Sequence, residues 1–375
     1  MKKIISLYLV FIFSTVLAFP QDGYVIKGKI KGWHDTICYL GNHYGKYQSI
    51  KDTTHIDKDG NFVFKGKESL PGGIYLLIFP NKKYCEIIID KEQNFSIDTD
   101  TSLSVENMKI KGSEENILFY KYLNFISKKQ ASAEPLRKRL AAIRQDSAAA
   151  ATTKKDSLKI LQDQVTAIDK DVEKYKENFI KDHPALFLTA IFKAQKDPVI
   201  PETPTLPNGK KDSLFPYRHY KDHFWDNLPV SDDRLLRTPI FHMRLKQFFD
   251  KVVMQHPDSL NKESDILVAK TGGNKETFKY IVWYMTTTYE NHSIMGMDGV
   301  FVHQVEEYYV TNKAYWVDSI NIQKIVHRGL TLKPLLLGKP APPIIMQDSS
   351  DKNIALYDVK AKYTVVVFWD PDCGH

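Results

Sequence analysis

The sequence predicts a multidomain protein: an N-terminal antiparallel β-sandwich, a central all-α domain with a long helical hairpin, and the start of a C-terminal α/β domain. Three observations predict this. Residues 22–112 break into short runs of period-two hydrophobicity separated by Gly, Asn and Asp, the pattern of half-buried strands joined by tight turns. Residues 113–334 carry apolar side chains at helical spacing, including a heptad stripe, which marks helices packed along one face. Beyond Gly338-Lys339-Pro340-Ala341-Pro342-Pro343, β character resumes and ends in the apolar run 363–368.

The chain opens on a secretory leader pattern. Lys2 and Lys3 form a positive start, residues 4–16 are apolar apart from Ser6, Ser14 and Thr15, and Val16-Leu17-Ala18 offers small residues for cleavage after Ala18. The apolar run is shorter than the ~20 residues of a membrane span, so residues 1–18 are expected to be removed. No Cys follows the run to make a lipoprotein. The mature chain is then expected to be soluble and exported.

The first strands are Gly23-Tyr24-Val25-Ile26-Lys27-Gly28-Lys29-Ile30 and, after the turn Asp57-Lys58-Asp59-Gly60-Asn61, Phe62-Val63-Phe64. Residues 74–79 and 86–90 flank Pro80-Asn81-Lys82-Lys83, and residues 95–98 and 108–110 continue the series. The short, evenly spaced strands give a sandwich or barrel over 22–112. Ser113 is placed to cap a helix whose first turn holds Glu114 and Glu115. Leu158, Leu161, Val165, Ile168, Val172, Tyr175 and Phe179 alternate spacings of three and four. Leu136, Leu140 and Ile143 begin a matching stripe before the Ala-rich break at 148–153. The two arms are expected to pack on each other within one chain, because the stripe is short for a dimerising coiled coil. His183-Pro184 ends the second arm, and a helix is expected to begin at Ala185. Five prolines between 196 and 216 make a loop, and helices are expected over 233–255, 258–270, 275–290, 299–311 and 316–328, with Pro239 in the first turn of a helix or at a kink.

Composition narrows the function classes. A net charge of +7 on 375 residues is mild, and a nucleic-acid partner does not follow from it. The three cysteines are Cys38, Cys85 and Cys373. Cys38 and Cys85 sit in strand-like runs, and two separate buried thiols are the favoured reading over a bridge.

Cys373 lies in Trp369-Asp370-Pro371-Asp372-Cys373-Gly374-His375, directly after Tyr363-Thr364-Val365-Val366-Val367-Phe368. A nucleophilic cysteine works as its thiolate, which is favoured at the first turn of a helix following a strand. This layout would start a Cys-x-x-Cys site whose second cysteine falls at position 376. His375 would stabilise the thiolate and make the couple more oxidising, whereas Asp372 opposes it. Without a resolving thiol, attack would stall at the mixed disulfide. The segment 338–375, about a tenth of the chain, resembles the opening of the exported TlpA/ResA-like thioredoxin domains of the thioredoxin/AhpC-TSA superfamily. The resemblance rests on Gly338-Lys339-Pro340-Ala341-Pro342 and on the strand and Trp-to-Cys run just quoted. Asp372 stands where many members have Trp, and His375 where many have Pro.

The resemblance implies a thioredoxin-like α/β domain beginning within 335–375, with Cys373 as attacking thiol and Trp369 as the aromatic packing beside it. It also implies protein thiols and disulfides, or a redox partner protein, as partners, in a bacterial periplasm or cell envelope. An N-terminal β-sandwich and a helical segment often precede such domains. Residues 22–112 resemble the former. Asp232-Asp233-Arg234-Leu235-Leu236-Arg237-Thr238-Pro239 and Met295-Gly296-Met297-Asp298-Gly299-Val300-Phe301-Val302-His303 resemble the latter. The chain as it stands is expected to show no thioredoxin-type turnover. The alternative is a non-catalytic envelope protein that binds a partner or ligand through the sandwich and helices.

Other constellations are weaker. His292, Met295, Met297, Asp298 and His303 could hold copper, but no pair has a recognised ligand spacing, and Asp298 reads as a helix cap. Asp57, Asp59, Asn61 and Glu68 match parts of a calcium loop, yet Phe62 stands where that loop needs Gly. Arg234 and Arg237 beside Asp232 and Asp233 read as a local ion-pair network. No metal and no cofactor is expected, and spacing alone sets no oligomeric state.

Overall fold

A computed structural model describes residues 23–145, 151–370 and 372. The leader expected over 1–18 lies outside the described residues. These residues fall into two compact units, one ending at Phe248 and the other beginning at Phe249.

The first unit opens with β1 (Tyr24–Lys31), β2 (Thr36–Tyr44), β3 (Tyr47–Ile56), β4 (Asn61–Gly66), β5 (Gly73–Ile78), β6 (Tyr84–Ile89), β7 (Asn94–Asp100) and β8 (Lys109–Lys111). One sheet has the order β4-β1-β7-β8 and the other β3-β2-β5-β6. Alternation fixes which side faces in. Ile26 and Ile30 of β1, Phe62 and Phe64 of β4, and Phe95 and Ile97 of β7 meet Cys38, Leu40, Leu77, Cys85 and Ile87 of the second sheet in one core. All pairings are antiparallel except β1 with β7, which run parallel. The expectation of a wholly antiparallel sandwich therefore fails at one pair. β7 returns beside β1 only after the chain has built the second sheet, and that long excursion is the crossover a parallel pair needs.

β5 is buried nearly throughout. Tyr75 and Leu77 join the inter-sheet core, whereas Ile74 and Leu76 are buried outside it. A strand covered on both faces reads as a continuous apolar run, which is the sequence Gly73-Ile74-Tyr75-Leu76-Leu77-Ile78. The edge strand β6 is closed by the first helix, α1 (Glu114–Gln145). The Asn116 carboxamide accepts from the Ile88 amide at 2.8 Å and donates to the Ile88 carbonyl at 2.7 Å, and the Tyr120 hydroxyl donates to the Glu86 carbonyl at 2.8 Å. An open edge invites another chain. Here the side chains of α1 occupy part of it. Ser113 caps α1 as expected, its Oγ accepting from the Asn116 amide at 3.2 Å.

α1 and α2 (Ala151–Asp182) form the expected intramolecular hairpin. Leu140, Leu161 and Val165 are buried together, with Leu136, Ile143 and Leu158 against them. Nearer the sandwich, Tyr175 stacks on Phe125 at 4.5 Å. Lys129 to Asp171 (2.5 Å) and Arg137 to Asp169 (3.5 Å) pair across the arms at exposed positions. α3 (Phe187–Ala194), α4 (Phe215–Asp222) and α5 (Pro239–Gln247) complete this unit. The helix expected over 233–255 is interrupted. Leu235–Arg237 is a 3-10 turn, Thr238 is extended and accepts from the Ile240 amide, Pro239 opens α5, and Phe248–Val252 is a π-turn. Pro239 lacks an amide hydrogen, so it sits where the first turn needs none.

The second unit holds α6 (Pro257–Ala269), α7 (Lys275–Tyr289), α8 (Asp298–Gln304), a π-turn Val305–Tyr309 and α9 (Ser319–Leu332). Gly329 of α9 lies directly over Val305, where a Cβ would stand 2.7 Å from Val305 Cγ1. Glycine there permits the close approach of α9. A short antiparallel hairpin, β9 (Ile345–Gln347) with β10 (Asn353–Ala355), follows. The strand expected at 363–368 is not formed among the described residues, which show no pairing there. A strand is held by its neighbours, and none reaches it. No described helix is long and apolar enough to cross a membrane.

Candidate functional site

The C-terminal motif comes first. Tyr363, Val365, Val367, Phe368 and Trp369 are 75–88% exposed. The Asp372 amide donates to Asp370 Oδ1 at 3.0 Å, a local turn of the kind Asp favours. Trp369 is thus solvent-facing, and Cys373 and His375 lie outside the described residues.

The other two cysteines are sealed in the sandwich. Cys38 is fully buried, and Cys85 is 7% exposed. Register explains why they stay free thiols. Leu40 of β2 pairs with Leu77 of β5, and Leu77 pairs with Cys85 of β6. The whole of β5 therefore separates the two cysteines, placing their strands about 10 Å apart, beyond the reach of a disulfide. Burial pushes the Cys85 thiol up to about 12, and burial drives that of Cys38 higher. Neither is a thiolate at neutral pH, so neither is a nucleophile.

The helical segment 232–237 makes a larger network than its local spacing suggests. Arg234 Nη2 meets Asp232 Oδ2 at 2.7 Å, while Nη1 reaches Asp90 Oδ2 at 3.0 Å, at the end of β6. The guanidinium lies 4.7 Å from the Phe187 ring centroid. Arg237 pairs with Asp233 at 2.7 Å. Close by, Glu115 accepts from the Leu188 amide at 2.6 Å. Burial still raises its carboxyl above the usual range. The role of Asp90 was not legible, because nothing local links it to a residue 144 positions away.

In the second unit, residues 294–297, Leu336, Leu337 and Lys339 wall a cavity of about 520 Å³ with the start of α6 and one face of α8. His256, Asn261, Met295, Met297 and His303 line it. Of the copper candidates, Met297 is buried, and His292 lies aside, stacked 5.3 Å from Tyr289. His303 Nε2 is 3.0 Å from both oxygens of Asp265. Because a carboxylate only accepts, that nitrogen carries the hydrogen. Asp298 does not cap α8 as expected. It is the first helical residue, and its Oδ1 is buried without a hydrogen-bond partner. Among the described residues, no three His, Cys, Asp or Glu side chains converge as a metal-ligand set.

The calcium-loop pattern resolves as the tight turn between β3 and β4, which lie in different sheets, so it carries the chain from one sheet to the other and closes no hairpin. Asp57 Oδ1 accepts from the amides of Asp59 and Asn61, both at 2.8 Å, and these bonds hold its carboxyl below the usual range.

His43 is 7% exposed, and its Nε2 has no partner. Burial lowers its pKa below the ordinary 6.5. The folded state therefore binds fewer protons than the unfolded chain as pH falls below about 6.5, and stability is lost in that direction. Urea unfolding at pH 7.5 and 5.5 should show this loss, and His43→Gln should reduce the difference. The comparison isolates His43 because the raised Glu86 and Glu115 carboxyls act with the opposite sign and are present in both proteins.

Residues 24–119 match a family model described as a domain of unknown function (DUF4369), and residues 150–330 match a second, also described as a domain of unknown function (DUF5106). The first match spans all eight strands of the sandwich and the first turns of α1. The second spans α2 to most of α9. No curated protein and no solved structure matches the chain.

Proposed function

We propose that this protein is an exported thiol–disulfide oxidoreductase of the TlpA/ResA-like thioredoxin kind, acting in the cell envelope with Cys373 as its attacking thiolate. The observation that carries the reading is the exposed segment leading into the motif. Tyr363, Val365, Val367, Phe368 and Trp369 have the composition of a core strand, yet they lie uncovered among the described residues. Such a run belongs inside a sheet, and the further strands of an α/β domain would cover it. The two sealed thiols add support by elimination, since Cys373 is the remaining cysteine.

The chemistry is exchange. The Cys373 thiolate attacks one sulfur of a substrate disulfide, that S–S bond breaks, and the departing thiolate takes a proton. A second thiol then attacks the mixed disulfide at the Cys373 sulfur, releasing the substrate reduced and leaving the attacking pair oxidised. In this reading Trp369, exposed here, would pack beside the reacting sulfur, and His375 would stabilise the thiolate. In the full-length protein, Cys373→Ser should abolish insulin reduction. Undiminished turnover would remove Cys373 from the role.

A second reading, a non-catalytic envelope protein, draws on the 520 Å³ cavity of the second unit, a volume within the range of ligand sites. Full-length wild-type protein without insulin-reducing activity would favour it.

A further inference from the structure

We propose that His219 and His223 form a surface site for a borderline divalent metal ion, binding copper(II) most tightly. The two residues lie four apart, at the end of α4, and their ring centroids are 4.1 Å apart with planes tilted by 34°. Spacing of i and i+4 puts both imidazoles on one helix face.

The stronger observation is what the other ring nitrogens do. His219 Nε2 is 3.1 Å from the Val199 carbonyl, and His223 Nδ1 is 2.6 Å from Asp226 Oδ2. Both oxygens can only accept, so both of these nitrogens carry hydrogen. In the neutral rings the lone pairs then fall on His219 Nδ1 and His223 Nε2. This is the arrangement found behind metal-binding histidines, one ring held by a backbone carbonyl and the other by a carboxylate. Asp226 also places negative charge beside the pair, and Asp222 directly precedes His223. The rings reach solvent, with 47% of the His223 side chain exposed.

No third ligand converges here. The site is therefore a two-nitrogen chelate with its other positions open to water. Imidazole suits copper, zinc and nickel, and copper(II) heads the affinity order. In near-stacked rings the in-plane lone pairs do not meet, so binding must turn the His219 ring about its Cβ–Cγ bond and release the Val199 carbonyl, while Asp226 still holds His223.

The test uses the purified chain in a non-chelating buffer. Calorimetry with zinc and electron paramagnetic resonance with copper(II) should each report one saturable ion per chain. The copper spectrum should carry coupling to two imidazole nitrogens. His219→Gln and His223→Gln should each weaken binding by about tenfold or more. Asp226→Asn removes only the orienting carboxylate and should weaken it by roughly 10–100-fold. Unchanged far-UV dichroism checks that the variants fold. Absence of one-to-one binding in the wild type overturns the proposal, as does binding that survives intact in the His219→Gln/His223→Gln double variant.

Discussion

Gly28→Val should cost the sandwich about 3 kcal/mol or more, enough to shift a urea or thermal midpoint well clear of error. Gly28 of β1 pairs directly with Phe62 of β4. The Phe62 ring lies flat over the glycine, so that a Cβ at position 28 would stand 2.0 Å from Phe62 Cζ and 2.4 Å from Cε1. The ring has nowhere to go. It is 3% exposed and packs edge-on against Phe64 and Phe79 at 5.9 and 5.8 Å. Even Gly28→Ala must expel or tilt it, and valine adds two methyl groups in the same place. If steric conflict is the cause, Phe62→Leu should relieve part of the damage. The double variant Gly28→Ala/Phe62→Leu should then be more stable than the two single costs sum to. A Gly28→Val protein with an unchanged midpoint would show that β1 and β4 are not paired in this register.

That pairing marks where sequence reading stops. Position 28 reads simply as part of an alternating strand. The reason for a glycine lies 34 residues away in Phe62, and Gly66 is covered in the same way by Tyr24 across the same ladder. Local signals carried further. The Asp57 turn, the Ser113 cap and the heptad stripes of α1 and α2 are all written in residues a few positions apart, and each stands where it is read. The parallel β1–β7 pair depends on strands distant in the chain, whereas the break before α5 was signalled locally by Pro239. Periodicity alone could not supply the parallel pairing.

The candidate site divides in the same way. The strand-like composition of 363–368 is plain in sequence, but a strand exists only through its neighbours, and those residues lie open. Buried thiols at Cys38 and Cys85 were legible from their apolar surroundings. Their separation by β5 was not, because strand order is set by the whole sheet. The histidine pair of α4 escaped notice since its supporting oxygens come from Val199, twenty residues earlier, and from Asp226, beyond the helix.

Arg234→Met should destabilise the first unit by roughly 3 kcal/mol, the lower end of what breaking a buried pair costs, because the arginine side chain keeps 31% of its exposure. The loss arises mainly from what is left behind. Asp90 and Asp232 are only 13% and 17% exposed, and without the guanidinium two neighbouring carboxylates face each other with less water than they need. The surrounding chain is built to admit this side chain. A Cβ on Gly72 would stand 2.8 Å from Arg234 Cδ, and one on Gly73, whose φ is +157°, would stand 2.4 Å from Arg237 Cβ. The Gly72-Gly73 pair at the start of β5 thus lets the arginine stems lie against the sandwich, and Asp90 and Phe187 fix where the first guanidinium ends. If the stranded charges dominate, Asp90→Asn should recover much of the stability lost in Arg234→Met, although Asp90→Asn alone is destabilising. If the lost arginine stem dominates instead, the double variant should be no more stable than Arg234→Met. Methionine retains an apolar stem of similar reach, so the substitution weights the outcome toward charge. Equal stability of Arg234→Met and wild type would mean that the pair to Asp90 contributes nothing.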